Sequence, residues 1–272
     1  MIIINTNPVA IADQPSDNKS VIAIVISGVG INKQTGSRAA KLPGPVALAI
    51  VPNAKHSQHL ARVAHANQKE VLLHQPMAVT IDDTDSATAF ITTTTNRLDF
   101  HLLLLDNLRS LPHVCGINLQ HGNVLAQHPG HMRWLMEDLS AIDKQLVFID
   151  SQTDADSIAM SSAKSLAVPA AQADVVLGGA QDVADIERQW RRLLALAKIR
   201  GFALGLVQPH PETLTLLESK LTNLDNAYEL WPLAEYIPAA QYRPELRHWN
   251  GAEKSTTVQV NQASHATGVR YF

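Results

Sequence analysis

Apolar runs without alternation recur along the chain, and most are followed by a stretch whose apolar residues return every three or four positions. The first run, residues 21–30 (VIAIVISGVG), places six apolar, mostly β-branched residues ahead of a small-residue turn. That pattern predicts a strand buried on both faces, ending where a ligand can approach. A short helix is expected over 32–41, stopped by Pro43, then a buried strand over 46–51. A helix over 55–67 carries Leu60, Val63 and Ala64 on one face, and a strand over 70–73 ends at His74. Residues 75–96, acidic and then threonine-rich, read as a long loop over the face where a site would lie, with Thr92 to Thr95 as loop rather than a sugar-binding strip.

The alternation continues with a helix over 99–110, a strand over 114–118, a helix over 129–142 and a strand over 146–149 closed by Asp150 and Ser151. A helix over 154–166 leads to a strand over 174–177 and a Gly178-Gly179 turn. Val183, Ile186, Trp190, Leu193, Leu194 and Ala197 mark a helix over 183–200. A strand over 202–207, a helix over 211–221 and a last strand over 228–231 complete the pattern. About seven or eight βα repeats favour a closed or nearly closed parallel barrel over an open sheet. The sequence therefore divides into a leader (1–20), a barrel (21–237) and an irregular C-terminal extension (238–272).

Composition narrows the function. With 22 basic and 25 acidic residues the net charge is −3, and no basic run is long enough for nucleic acid or an anionic membrane. No apolar run is long enough to cross a bilayer. The single cysteine, Cys115, sits in an apolar run and reads as a small core residue. The leader, MIIINTNPVAIADQPSDNKS, lacks a basic start and a long apolar centre, yet Ala10-Ile11-Ala12 before Asp13 has the small-x-small form of a signal-peptidase site. Two readings stand: the remnant of an export signal on a periplasmic or exported protein, and the polar leader of a cytoplasmic one.

Chemistry in such folds sits at the carboxyl ends of the strands. Those ends carry Ser27-Gly28, Asn53, His74, residues 118–123, Asp150-Ser151, Gly178-Gly179 and residues 208–211. His74, His121, His210 and Asp150 are residue types that bind zinc, although none is paired at HxxxH or HExxH spacing. The local pairs His56/His59 and His128/His131 read as solvent-facing. Trp190 fits a core face, whereas Trp231, Tyr236, Tyr242 and Trp249 either stack on sugar rings or pack the end of the chain onto the barrel.

The blocks VIAIVISGVG, LPGPVALAIVPNAKHSQHLARVAHANQKEVLLHQPM, GINLQHGN, LVFIDSQT and LGLVQPHPETL fall in order over nearly the whole chain. Together they resemble the divergent polysaccharide deacetylase family, relatives of NodB-type carbohydrate esterases. The resemblance implies an α/β fold, a distorted (β/α) barrel of the NodB type, and metal-dependent removal of acetyl groups from sugars. The family's first strand ends in Asp-Asp-x-Gly, implying a base and a metal ligand; here Ser27 and Gly28 stand at those positions and only Gly30 is kept. His74 matches a metal-binding histidine. The family's Asn-His-Met-Gly-Ser becomes Leu119, Gln120, His121, Gly122 and Asn123, so its second histidine is Gln120. Its Gly-His-Pro becomes Val207, Gln208 and Pro209, with an amide in place of the general acid, and its Leu-Asp-Asn-Asp run becomes residues 177–180 (LGGA).

A hydrolytic zinc needs about three protein ligands and an open position. His74 alone, with Gly28 and Gln120 at the other two positions, does not meet that need, so no cofactor is expected. Base and acid are lost as well, at Ser27 and Gln208. The implied function is a deacetylase-like barrel that no longer hydrolyses and binds an N-acetylated envelope polysaccharide or an envelope protein. Its cleft would comprise Ser27, Gly28, His74, Gln120, His121, Asn123, Asp150 and Gln208. The alternative is an active zinc deacetylase with a rearranged site using His74, His121, His210 and Asp150, in which Asp150 and His210 act as the catalytic pair.

Overall fold

The protein is described by a computed structural model covering residues 19–77, 90–120, 123–151, 156–179 and 182–241, with the side chains of 120, 123 and 124 left aside. The leader through residue 18, residues 78–89 of the long loop, His121, and the extension from residue 242, including Tyr242 and Trp249, lie outside the described residues.

Strand and helix alternate from the start: β1 (Ser20–Val29), α1 (Lys33–Ala39), β2 (Ala47–Ile50), α2 (Ser57–Ala66), β3 (Glu70–Pro76), α3 (Arg97–Ser110) and β4 (Val114–Gln120). Then come α4 (Asn123–Ala126), α5 (Pro129–Ile142), β5 (Val147–Asp150), α6 (Ala159–Ser165), β6 (Ala170–Gln172), β7 (Val175–Leu177) and α7 (Val183–Arg200). The last elements are β8 (Phe202–Val207), α8 (Pro211–Thr222), β9 (Tyr228–Leu230) and α9 (Leu233–Gln241). Start and stop signals explain the sharpest boundaries. Asn32 caps α1 by accepting from the Gln34 and Thr35 amides, Pro129 opens α5, and Gly201 ends α7 at a left-handed φ of 80°.

All pairings are parallel, in the order β6-β5-β4-β3-β2-β1-β8-β7, with β9 beside the first half of β1. The two ends of that order are joined by only Ala173 and Asp174, so they lie within about 11 Å of each other. The sheet must curl. Its seam is a single amide apart: Ala173 N–H donates to the β5 carbonyl of Asp150 (2.9 Å), and Asp174 N–H to the β8 carbonyl of Leu204 (2.8 Å). The Asp174 carboxylate tightens the seam by accepting from Leu204 N–H (2.8 Å) and Arg200 (3.1 Å).

Period-two alternation splits each strand between two cores. Ile22, Ile24, Ile26, Leu48, Leu73, Ile117 and Phe148 pack outward against the helices. Val21, Ala23, Val25, Ala47, Ala49, Leu72, Ile149, Ala171 and Leu204 face inward, and their small size fits a narrow lumen. The amino-terminal end of the lumen is closed by α9, whose Leu233, Tyr236, Ile237 and Ala240 join this inner core. Trp231 and Tyr236 meet Phe202 edge-on at 6.3 and 6.0 Å, so these two aromatics pack the barrel rather than offering a sugar platform. Glu70 caps α9 by accepting from the Leu233 (2.6 Å) and Ala234 (2.9 Å) amides. Three elements were not expected from the sequence: the short α4, β6, and α9, which crosses Pro238 and continues to Gln241.

Candidate functional site at the carboxyl ends of the strands

On β1 the inward series Val21, Ala23, Val25 continues to Ser27, which is buried and donates its hydroxyl to the Val207 carbonyl at 3.2 Å. The next residues turn sharply: Gly28 has φ 71° and Gly30 φ 127°. A Cβ at Gly30 would stand 2.6 Å from Ser57 Oγ and 3.3 Å from the Val51 carbonyl, so the turn needs glycine there. A Cβ at Gly28 meets nothing within 4 Å, leaving room where the family's second aspartate would project.

On β3, His74 is 6% exposed and lies in register with Asn118 of β4. His74 Nδ1 and Asn118 Oδ1 are 2.9 Å apart. Asn118 Nδ2 donates to the Ile149 carbonyl (3.0 Å) and to Ser151 Oγ (2.8 Å), and the Ser151 hydroxyl donates to the Leu119 carbonyl (3.1 Å). Polar groups at this depth are costly unless hydrogen-bonded, which explains a chain that crosses three adjacent strands. The sequence placed Asn118 at a strand end without giving it a role; its signal is a polar residue at the inward position of an otherwise apolar strand.

Asp150 is separated from His74 by one step of alternation. Ile149 faces the lumen and Phe148 the helices, so Asp150 follows Phe148 to the outer layer. There its carboxylate accepts from Ser157 ahead of α6 (3.1 Å) and from Gln172 of β6 (3.4 Å). Past β8, Gln208 is exposed and its amide oxygen lies 3.3 Å from His210 Nε2. His210 precedes α8 without capping it through its side chain. From β3 to β8 around the sheet is three strand steps, roughly 14 Å. The backbone of Gln120 pairs with Pro76 on β3. His121 and the side chains of Gln120 and Asn123 lie outside the described residues.

Among the described residues no three of His, Cys, Asp or Glu converge to hold a metal. His74 with a glycine, an amide and a carboxylate turned to the outer face does not fit a three-ligand zinc site. One expectation is corrected: His131 does not face solvent. It is 2% exposed, with Nε2 at 3.2 Å from the Thr95 carbonyl and Nδ1 at 2.9 Å from His128 Nδ1, and burial pushes its pKa down. Position 131 shares a helix face with Leu135 and Leu139, which is why it goes inward. Thr92 to Thr95 bond mainly to one another (2.9–3.1 Å) in the turn before α3, in keeping with a loop. Cys115 packs against the inner core, and burial pushes its thiol far up.

A curled, all-parallel β/α barrel with its polar side chains gathered at the strands' carboxyl ends is the architecture of NodB-like barrels. The chain belongs to the divergent polysaccharide deacetylase family, whose model matches residues 24–237. It is similar to the uncharacterized protein YibQ of Escherichia coli, 27% identical over 204 residues, which are 75% of this chain and 63% of that relative's length. An uncharacterized protein of Haemophilus influenzae is 26% identical over 220 residues, covering 78% of this chain and 75% of the relative. In fold it is similar to an uncharacterized protein from Agrobacterium tumefaciens, with a TM-score of 0.75 at 20% identity over 83% of this chain and 92% of that one. A lactam utilization protein from Thermus thermophilus has a TM-score of 0.52 at 10% identity, over 78% of this chain and 98% of that one.

Proposed function

We propose that this protein is a member of its family that has given up hydrolysis and binds an N-acetylated envelope glycan in the cleft at the carboxyl ends of its strands. The observation that carries this reading is the chemistry at the end of β1. Ser27 commits its hydroxyl to the Val207 carbonyl, and Gly28 has no side chain although the space beside it is open. Amide hydrolysis needs a group that takes a proton from water near neutral pH, and neither residue does so. His74, Gln208 and His210 supply hydrogen-bonding groups without a carboxylate among them, which suits the amide and hydroxyls of an N-acetyl sugar. An envelope glycan is met outside the cytoplasm, so the same reading proposes an exported protein, to be checked by cell fractionation.

The test uses full-length protein without a histidine tag, loaded with zinc, dialysed, analysed for metal and titrated with chitotetraose. The expected result is well under one zinc per chain, with oligosaccharide bound and no acetate released. One equivalent of zinc that disappears in His74→Ala, together with acetate release, overturns the proposal in favour of a rearranged deacetylase using His74, His121, His210 and Asp150. That second reading is favoured by one observation, the His210 imidazole folded back beside the position of the lost acid. Against it stands the outward direction of Asp150. Failure to bind both zinc and oligosaccharide also overturns the glycan reading and leaves an envelope protein as the partner to seek.

A further inference from the structure

We propose that the amino-terminal turn of α8, with the Thr213 hydroxyl and the glycine turn after β7, is a subsite for a carboxylate, so that the glycan bound in the cleft includes an acidic N-acetyl sugar. The carboxylate subsite stands on its own geometry; that a sugar carries the carboxylate rests on the glycan reading above.

The first turn of a helix leaves its amides without intrahelical acceptors, and a side-chain oxygen at the N-cap ordinarily takes one or two of them. Among the described residues, the first α8 amide with a backbone acceptor is that of Leu214, which donates to the His210 carbonyl at 2.9 Å. His210 occupies the N-cap but makes no side-chain cap. Its ring turns instead toward Gln208, with Nε2 3.3 Å from the amide oxygen. Pro211 has no amide hydrogen, so the open donors are the Glu212 and Thr213 amides, for which no described residue supplies an acceptor.

Thr213 singles this helix terminus out. Its side chain is fully buried, yet its hydroxyl has no hydrogen-bond partner among the described residues. A buried hydroxyl left unpaired is costly, and a ligand oxygen would satisfy it. The hydroxyl faces the turn that ends β7. A Cβ at Gly178, where φ is 84°, would stand 2.7 Å from Thr213 Oγ1 and 3.1 Å from the Gln208 carbonyl. One residue on, Gly179 is exposed, and a Cβ there would meet nothing within 4 Å. Two glycines therefore keep the approach to Thr213 clear of side chains.

The charge of the occupant follows from the groups around the turn. A helix amino terminus carries partial positive charge and draws an anion. Arg38 lies beside it, 3.4 Å from the Pro211 carbonyl, but its charge is matched by Glu218 at 3.0 Å. Glu212 places an exposed carboxylate in the same first turn. With that negative neighbour a single charge is favoured over the double charge of a phosphate. Two N–H donors and one O–H donor suit the two oxygens of a carboxylate.

The test follows the backbone amides of the full chain by proton–nitrogen NMR at constant ionic strength. Sodium acetate, N-acetylglucosamine and N-acetylmuramic acid, the same sugar carrying a carboxylate, are added in separate titrations. Acetate and N-acetylmuramic acid should move the Glu212 and Thr213 signals, and N-acetylmuramic acid should bind about tenfold more tightly than N-acetylglucosamine. Thr213→Val keeps the shape and removes the unpaired hydroxyl, so its denaturation midpoint should not fall, while its affinity for acetate drops about tenfold. His210→Asp supplies an N-cap carboxylate of its own and should abolish acetate binding. Acetate that leaves both amides unmoved, or binds Thr213→Val as it binds the wild type, overturns the carboxylate subsite. Equal binding of the two sugars overturns the acidic-sugar assignment with the glycan reading intact. Acetate binding without binding of either sugar is a failure of the glycan reading and leaves the carboxylate subsite standing.

Discussion

The two ends of the barrel lumen are built from opposite materials. At the amino-terminal end α9 inserts Leu233, Tyr236 and Ile237 among Phe202 and Trp231, and one half-buried carboxylate, Glu70, terminates the helix dipole and its open amides. At the carboxyl-terminal end the lumen changes within one inward-facing step, from Val25 to Ser27, then to two glycines at positive φ and a row of polar side chains. The contrast separates stability from function. The closed end contributes buried apolar area, whereas the open end, among the described residues, gathers polar side chains and is where the proposed ligand would bind.

The largest effect is expected at the closed end. Tyr236 is fully buried, and Tyr236→Ala should cost about 3–5 kcal/mol, read as a lowered denaturation midpoint. Chitotetraose affinity of the folded fraction should stay unchanged, because α9 lies at the far end of the lumen from His74. Comparable loss at both readouts would mean the two ends are not independent.

Gly30→Ala should follow, with a cost above the about 1–2 kcal/mol that a side chain at positive φ incurs on its own, because the new Cβ is also driven onto Ser57 and the Val51 carbonyl. A denaturation curve indistinguishable from the wild type would show that the β1 turn relaxes more freely than its contacts indicate.

Much of this division was legible in the sequence, and the exceptions have physical causes. The bounds of α5 and α7 were readable to the residue because proline and glycine punctuate them and their apolar spacing is regular. Ala170–Gln172 has no strand-forming residue types; it is a strand because the seam places it between β5 and the link to β7. The α9 segment was hidden by Pro238, and only the lumen of the finished barrel gives its apolar face a partner. At the site, His74 and Ser27 were readable as strand-end residues. That Asp150 turns outward was not, because it depends on which neighbour in the 148–150 run faces the lumen, and so on how the strands register.

Glu70 tests the closed end through pH. Burial raises its pKa and the two α9 amides oppose that rise, the net direction being upward. A raised folded pKa means that the folded state holds its proton more tightly than the unfolded one. This contribution is therefore full below the ordinary carboxylate range and is lost as pH rises through the raised value. Glu70→Gln should remove that part of the pH dependence while keeping an acceptor for the α9 amides, so its stability should vary less than the wild type's as pH rises through and above the ordinary carboxylate range. Parallel stability curves for the two proteins would locate the proton elsewhere.

The smallest effect is expected at Gly28, two residues from Gly30 and at a similarly positive φ. Its open surroundings remove the steric part, so Gly28→Ala should cost only about 1–2 kcal/mol, the backbone part alone. Asparagine and aspartate tolerate this conformation better than alanine, so Gly28→Asp should cost less than Gly28→Ala although its side chain is larger. Denaturation of the three proteins side by side ranks them. If Gly28→Asp is the least stable, the space beside residue 28 is not the room for a carboxylate that it resembles, and the loss of the family's second aspartate reflects a reshaped turn rather than a deleted side chain.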